Sequence, residues 1–492
     1  MINFIFLLYI GAVIGLALYG AVGLLTMILF VRHRRDEVPS PPEPVSWPMV
    51  TVQLPIFNER FVVEQLIETA VKLEYPQQKL QIQVVDDSTD ETTETVARLV
   101  QKYHKQGINI QLLHRENRAG YKAGALAEAL PLATGEYIAI FDADFQPQPQ
   151  FLRQTIPHFI QDATLGMVQA RWGHLNDQLS PLTAAQAIAI DKHFAMEQFV
   201  RHRAQMYPKF NGAGGVWRRT CMEDAGGWEV DTVCEDLCLS TRALLNGWQF
   251  RFLPDVVAPA ELPSSINAYK SQQARWAKGS TQCLRKFGNA ILHDRQYSLL
   301  ARLYALMTMS AYNTHLLLLT ILLLQLPLLL LGQHPPSWLL IFSLFGIGQP
   351  MLFVASQLVL YEDWPRRILF FPVLMLVAVG LAPTIVRAIL QAVWGDEHVF
   401  ERTPKSGNGR IPLGYAMPKD AIIWIELFFF IYALICTMLA VYTENWGSVS
   451  FLLACVLGFG YVLYLTFQER KSMRLQLNFK VKPIDGRTHS VL

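Results

Sequence analysis

Tyr137-Ile138-Ala139-Ile140-Phe141-Asp142-Ala143-Asp144-Phe145 is the stretch on which the fold turns. Five apolar or aromatic residues run without a break and stop at two carboxylates. A short continuous apolar run fits a strand buried on both faces. Open α/β sheets bind their ligands at the C-terminal ends of such strands. On an extended segment Asp142 and Asp144 face the same side. Hard oxygen ligands so placed suit Mg2+ or Mn2+ bridging a diphosphate, with water and phosphate filling the other positions. Asp is also common where a strand gives way to a turn, so these residues alone leave a plain turn open.

The flanking sequence repeats the pattern. Strands are expected over 50–55, 82–85 and 110–113, and helices over 62–73, 92–106 and 120–130. Strands alternating with helices imply a mostly parallel sheet with right-handed crossovers. Polar residues follow three of the strands: Asn58 and Glu59 after Pro55, then Asp86 and Asp87, then Asp142 and Asp144. That is the arrangement of a nucleotide site. No G-x-G-x-x-G and no G-x-x-x-x-G-K-[ST] is present, which argues against a dinucleotide fold and a P-loop.

The chain has 492 residues, 52% hydrophobic and 17% charged. A formal net charge of +2 gives no case for nucleic-acid binding. The six cysteines form no metal-type pairs and read as reduced thiols of a cytosolic domain. The apolar residues gather at 4–31 and in blocks at 303–331, 338–360, 368–383, 422–442 and 451–467. The first block is long enough to span a bilayer. The basic cluster Arg32-His33-Arg34-Arg35 follows it rather than preceding it, unlike a signal peptide. The positive-inside rule then puts the N-terminus outside and the middle domain in the cytosol. If block 368–383 does not cross, the basic stretches 395–419 and 470–482 both fall inside, in keeping with the rule. That block is short and punctuated by Pro372 and Pro383, so it is expected to lie at the interface or re-enter, leaving five crossings. The division is therefore an N-terminal membrane helix (1–35), a proline-rich linker (36–47), a cytosolic α/β domain (48–298), two crossings (299–362), interfacial helices with a basic loop (363–419), two more crossings (420–468) and a basic cytosolic tail (469–492).

Further motifs lie within the middle domain. Arg118-Ala119-Gly120-Tyr121-Lys122 opens a helix, where glycine admits close backbone approach and Lys122 can reach a phosphate; a solvated lysine is the plain alternative. Phe210-Asn211-Gly212-Ala213-Gly214-Gly215-Val216-Trp217-Arg218-Arg219 packs small residues between aromatics, for close approach of a ligand or for a bulge or plain turn. Glu235 and Asp236 precede an amphipathic helix, as helix-start carboxylates or as a catalytic base. Gln272, Arg275 and Trp276 share one helix face. Indole and guanidinium there suit a sugar ring and its diphosphate; a helix resting on the membrane is the other reading.

With these residues assembled, the chain resembles the inverting family-two glycosyltransferases of GT-A fold, in particular cellulose synthase and the cellulose-synthase-like mannan and glucan synthases. The resemblance covers the cytosolic domain and extends into the membrane region. It implies that Asp87, with Asp86 beside it, holds the nucleotide base, and that Pro55, Asn58, Glu59 and Lys122 complete the nucleotide site. Asp142 and Asp144 match the D-x-D motif that binds the metal. Asp236 matches the aspartate of T-E-D taken as the catalytic base, with Cys234 in place of the usual Thr. Gln272, Arg275 and Trp276 match Q-x-x-R-W, whose Trp packs at the acceptor end, and Glu235 and Gly212 would flank donor and acceptor. Phe400, Arg402, Thr403 and Lys405 lie in a segment similar to the gating loop of processive synthases. The resemblance implies a metal-dependent transfer of a hexose from a nucleotide sugar, UDP-glucose first and GDP-mannose second, to a growing polysaccharide exported through the membrane. A glycolipid synthase acting on a lipid acceptor shares every one of these residues. A non-catalytic transporter or sensor is the reading from another class, and the near absence of charge in the apolar blocks weighs against it.

Overall fold

A computed structural model describes residues 2–36, 38–333, 336–395 and 421–480. At its centre is a seven-stranded sheet in the order β3-β2-β1-β4-β6-β5-β7. The strands are β1 (Val50–Ile56), β2 (Leu80–Asp86), β3 (Ile110–His114), β4 (Tyr137–Ile140), β5 (Leu165–His174), β6 (Gly215–Arg218) and β7 (Gln249–Ala260). β1, β2 and β4 are buried along their whole lengths, as their unbroken apolar runs require when helices cover both faces. Parallel pairing holds for β3-β2-β1-β4 and for β5-β7. The expectation of a mostly parallel sheet fails at β6, which runs antiparallel to both its neighbours.

The sheet separates two apolar cores. One packs Leu54, Leu66 and Phe151 on one side; the other packs Leu126, Trp217 and Leu239 on the opposite side. β4 ends at Ile140, earlier than the sequence implies. Asp142 and Asp144 sit in a turn, closed by a hydrogen bond of 3.0 Å from Phe145 N–H to the Asp142 carbonyl. The carboxylates are therefore held by a turn at the strand end rather than by an extended segment.

Among the described residues, five helices are long and apolar enough to cross a membrane: Asn3–His33, Asn313–Leu330, Ile341–Leu360, Ile422–Tyr442 and Trp446–Ser472. The apolar block 303–331 does not form one helix. Leu299–Met309 is separate, its N-terminus capped by the Ser298 side chain, and it packs Ala305 and Met309 into the core of the domain. Its apolar character is that of a core helix. Block 368–383 falls within a bent pair, Trp364–Gly380 and Ala382–Trp394, with 46° between the two helices. Pro383 stands in the first turn of the second helix, where a missing N–H and fixed φ favour a fresh helix start. The basic loop with Phe400, Arg402, Thr403 and Lys405 lies outside the described residues, as does the tail beyond residue 480.

Candidate active site

The C-terminal ends of β1, β2 and β4 open onto one cavity, which the start of helix Glu235–Leu245 and one face of helix Ile266–His293 close from the other side. Asp87, Asp142, Asp144 and Asp236 all line it. So do Pro55, Glu59, Lys122, Gly212 and Glu235, and the three helix residues Gln272, Arg275 and Trp276. Four acidic residues spread over 150 positions of sequence thus meet in one place.

Each is held by a local device. Asp87 follows β2 and faces Arg115, which follows β3; Nε and Nη2 of the guanidinium donate to its two oxygens at 2.7 and 2.6 Å. Such a two-point contact fixes the carboxylate plane. The same guanidinium also donates to the carbonyls of Ala119 and Tyr121 at 3.2 and 3.1 Å. It thereby ties Asp87 to the loop that opens helix Tyr121–Ala129. Gly120 in that loop has φ +70°, and a Cβ there would lie 2.5 Å from Val230 Cγ1, so glycine is required on both counts.

Lys122 reaches across the cavity. Its Nζ lies 2.5 Å from Asp142 Oδ1 and 3.6 Å from Glu235 Oε1, and it donates to the Gly212 carbonyl at 3.0 Å. Burial pulls its ammonium downward, but Asp142, Glu235 and Asp236 overcome that, and the net direction is up. Asp236 is pushed up to about 6, first by burial and then by Glu235, while Lys122 and the Leu237 backbone oppose the rise. Gly212 has φ +89°, and a Cβ there would stand 3.1 Å from Asp236 Oδ2. Cys234, just before Asp236, is buried against Gly279, where a Cβ would fall 2.2 Å from its Sγ. Gly279 therefore lets the helix bearing Gln272, Arg275 and Trp276 approach the one bearing Asp236.

Two sequence expectations are not met by the cavity wall. Asp86 is fully buried and does not line it. Its carboxylate accepts from Ser88 N–H at 3.0 Å and Thr93 Oγ1 at 2.8 Å, and faces His114 Nδ1 at 3.0 Å. Adjacent residues of a strand point to opposite faces, so only one of Asp86 and Asp87 can face the ligand. Asn58 is also outside the lining; its N–H donates to Ser88 Oγ at 2.7 Å and its Oδ1 accepts from Thr89 N–H at 2.8 Å. Both residues brace the loop behind the site.

Other lining residues carry no assigned role in the sequence reading: Arg118 and Asn211 stand within quoted motifs, and Trp172 and His174 in none. Arg118 lies with its guanidinium 3.4 Å from the Phe57 ring centroid. Trp172, His174 and Asn211 also face the cavity. Trp172 and His174 alternate along β5, a strand absent from the sequence expectations. Arg115 carried the same topological signal as Asp87, since it follows a strand of the parallel half.

Asp142 and Asp144 bring hard carboxylate oxygens to the cavity, one of them paired with the Lys122 ammonium. That set fits a divalent cation that takes its remaining ligands from a diphosphate and water. Among the described residues, one cluster of three metal-type donors lies elsewhere, Glu229, Asp231 and Cys238. The Lys286 ammonium pairs with both of its carboxylates, 2.5 Å from Glu229 and 2.6 Å from Asp231.

Residues 48–279 match the model of a glycosyltransferase-like family 2. The chain is 42% identical over 265 residues to glucomannan 4-beta-mannosyltransferase 7 of Arabidopsis thaliana, covering 53% of this chain and 48% of that protein. It is 39% identical over 282 residues to glucomannan 4-beta-mannosyltransferase 1 of Oryza sativa subsp. japonica, covering 56% and 54%. The chain thus spans about half the length of the curated relatives it matches. Among solved structures, a mannosyltransferase from Pyrobaculum calidifontis in complex with GDP-Man and Mn2+ superposes with a TM-score of 0.56 at 23% identity. That alignment covers 79% of this chain and all of the other, and it identifies the fold as GT-A.

Proposed function

Since residues 48–279 belong to the family-two glycosyltransferases and have the GT-A fold, we propose that the chain is an inverting hexosyltransferase that extends a β-linked polysaccharide. The observation that carries this reading is the meeting of Asp87, Asp142, Asp144 and Asp236 with Gln272, Arg275 and Trp276 around one cavity. The donor we assign is GDP-mannose, in place of the UDP-glucose put first from sequence. The support is the activity for which the relatives at 39–42% identity are named and the GDP-Man complex of the structural neighbour.

In this reading the nucleotide lies toward Asp87 and Glu59, with Asp87 fixed by Arg115. Asp142 and Asp144 would hold Mg2+ or Mn2+, which when bound supplies Lewis-acid stabilisation of the leaving diphosphate. Lys122 and Arg275 add positive charge at the same cavity. Asp236 takes the proton of the acceptor hydroxyl while its oxygen bonds to sugar C1 and the C1–O bond to the diphosphate breaks. A single displacement inverts the anomeric centre. Burial helps here: a carboxylate pushed up to about 6 is a stronger base than one in water. Trp276 and Trp172 supply flat apolar surfaces for acceptor rings. The five long apolar helices anchor the catalytic domain at a membrane, which we place on its cytosolic side from the arginines after the first helix.

A donor screen on detergent-purified protein, reading released nucleotide diphosphate, tests the assignment. GDP-mannose should turn over and give a product cut by an endo-β-mannanase. Product extracted into organic solvent instead would favour a lipid acceptor. Asp236→Asn should lower kcat by about a thousandfold; unchanged transfer would remove the base assignment.

A further inference from the structure

The acceptor half of the cavity contains a histidine that the reaction above leaves unused. His174 ends β5, two residues after Trp172 and on the same face of the strand. The pairing of β5 with β7 breaks register between Ala170 and Arg171, so Trp172 and His174 lie beyond an irregularity of the kind that re-aims side chains beside active sites. Both line the cavity, as do Ile190, Leu262 and Pro263.

The His174 side chain is 3% exposed, and its partner Asp191 is fully buried. Nε2 of the ring lies 2.8 Å from Asp191 Oδ1. An ionised carboxylate only accepts, so that nitrogen carries the proton. Nδ1 has no partner among the described residues. As a neutral ring it accepts from a hydroxyl; as an imidazolium it donates to one. A sugar hydroxyl serves either state.

Asp191 is unusually well held for a residue used only in packing. Gln357 Nε2 donates to its Oδ2 at 2.9 Å, and Tyr361 OH donates to its Oδ1 at 3.2 Å. Gln357 belongs to the apolar helix Ile341–Leu360 and is fully buried. Tyr361 follows that helix, with the Arg367 guanidinium 3.7 Å from its ring centroid. A phenyl ring would fill the place of His174 without a buried carboxylate behind it. Burying that charge costs free energy, and what it secures is the direction of the ring.

We infer that His174 determines acceptor specificity: with Asp191 as its positioning residue, it hydrogen-bonds a hydroxyl of the acceptor hexose whose ring lies against Trp172. The inference rests on the transferase reading given above and adds a named contact on its acceptor side. It also makes that contact depend on the membrane helix that holds Asp191.

The experiment uses the full chain in detergent with GDP-mannose as donor and 4-linked β-mannotetraose as acceptor. His174→Phe should raise the acceptor KM about tenfold, the effect of one lost neutral hydrogen bond, with a smaller change in kcat. His174→Gln should recover part of that loss, and Asp191→Asn should show the same acceptor-side defect. An unchanged acceptor KM in His174→Phe, or an equal rise in donor and acceptor KM, overturns the inference. If His174→Phe does not fold, Tyr361→Phe removes one donor from Asp191 and is read in the same way; no acceptor-side change there also overturns it. A wild-type protein that releases no GDP from GDP-mannose removes the parent reading and this contact with it. Wild-type turnover with an unaffected His174→Phe removes this contact alone.

Discussion

Asp236 illustrates how one side chain acquires its chemistry from its surroundings. In water an aspartate is too weak a base to help a sugar hydroxyl much. Here burial and the adjacent Glu235 push it up to about 6, closer to a working pH near neutrality. In the proposed reaction the ionised form is the base, so activity should fall as pH drops through the pKa. We expect kcat/KM to show an acid limb near pH 6 with one proton involved. Glu235→Gln removes the neighbouring charge that raises Asp236, so the limb should shift to lower pH. A limb that stays in place or moves upward would contradict the electrostatic account. Asp86 and Asp87 make the complementary point: adjacent carboxylates in one motif, one bound face to face with Arg115 at the cavity and the other spent on Ser88 and Thr93 behind it.

At the scale of the element, helix Ile266–His293 connects the long apolar helices to the cavity. Its first turn is capped twice. The Ser265 hydroxyl accepts from Ala268 N–H at 3.1 Å, and the Glu469 carboxylate accepts from Ile266 N–H and from Asn267 Nδ2. One turn on, Lys270 Nζ meets Glu426 at 2.7 Å and donates to Thr466 Oγ1 at 3.0 Å. Glu426 is fully buried within the apolar helix Ile422–Tyr442. The next turn carries Gln272, Arg275 and Trp276 to the cavity. Near its far end, Arg285 donates to the carbonyl of Val393 at 3.1 Å, at the end of the bent helix pair. A charge pair this deep is costly unless both members are present. Glu426→Gln should therefore destabilise the protein by about 3–5 kcal/mol, measured by thermal unfolding in detergent. Lys270→Met with Glu426→Leu should restore most of that stability. If the single variant were as stable as wild type, the pair would not be what seats this helix.

For the whole molecule, the distribution of apolar surface decides the setting. Large hydrophobic side chains such as Leu7, Trp424, Phe428 and Met438 stand exposed on the long helices, an arrangement stable only where lipid replaces water. All six cysteines are buried, so introduced thiols report topology cleanly. If the N-terminus lies outside, as proposed, Gln333→Cys, between two spans, should react with an impermeant maleimide on intact cells. Asp36→Cys, just before the catalytic domain, should react only after permeabilisation. The reverse pattern would invert the orientation taken from Arg32, Arg34 and Arg35.

The sequence by itself determined the strands of the parallel half and the long apolar helices. Unbroken apolar runs ending in acid are local signals, and burial on both faces writes them into consecutive residues. Asp87, Asp142, Asp144, Asp236 and the Gln272 helix, singled out from sequence, line one cavity. Tertiary structure alone decided the reversed β6, the break between Leu299–Met309 and Asn313–Leu330, and the side of the strand end on which Asp86 falls. It alone brought Arg115 to Asp87, His174 to Asp191 and Lys270 to Glu426. Periodicity records whether a side chain is buried. Which side chain it meets there depends on chain segments distant in sequence, and no local pattern carries that pairing.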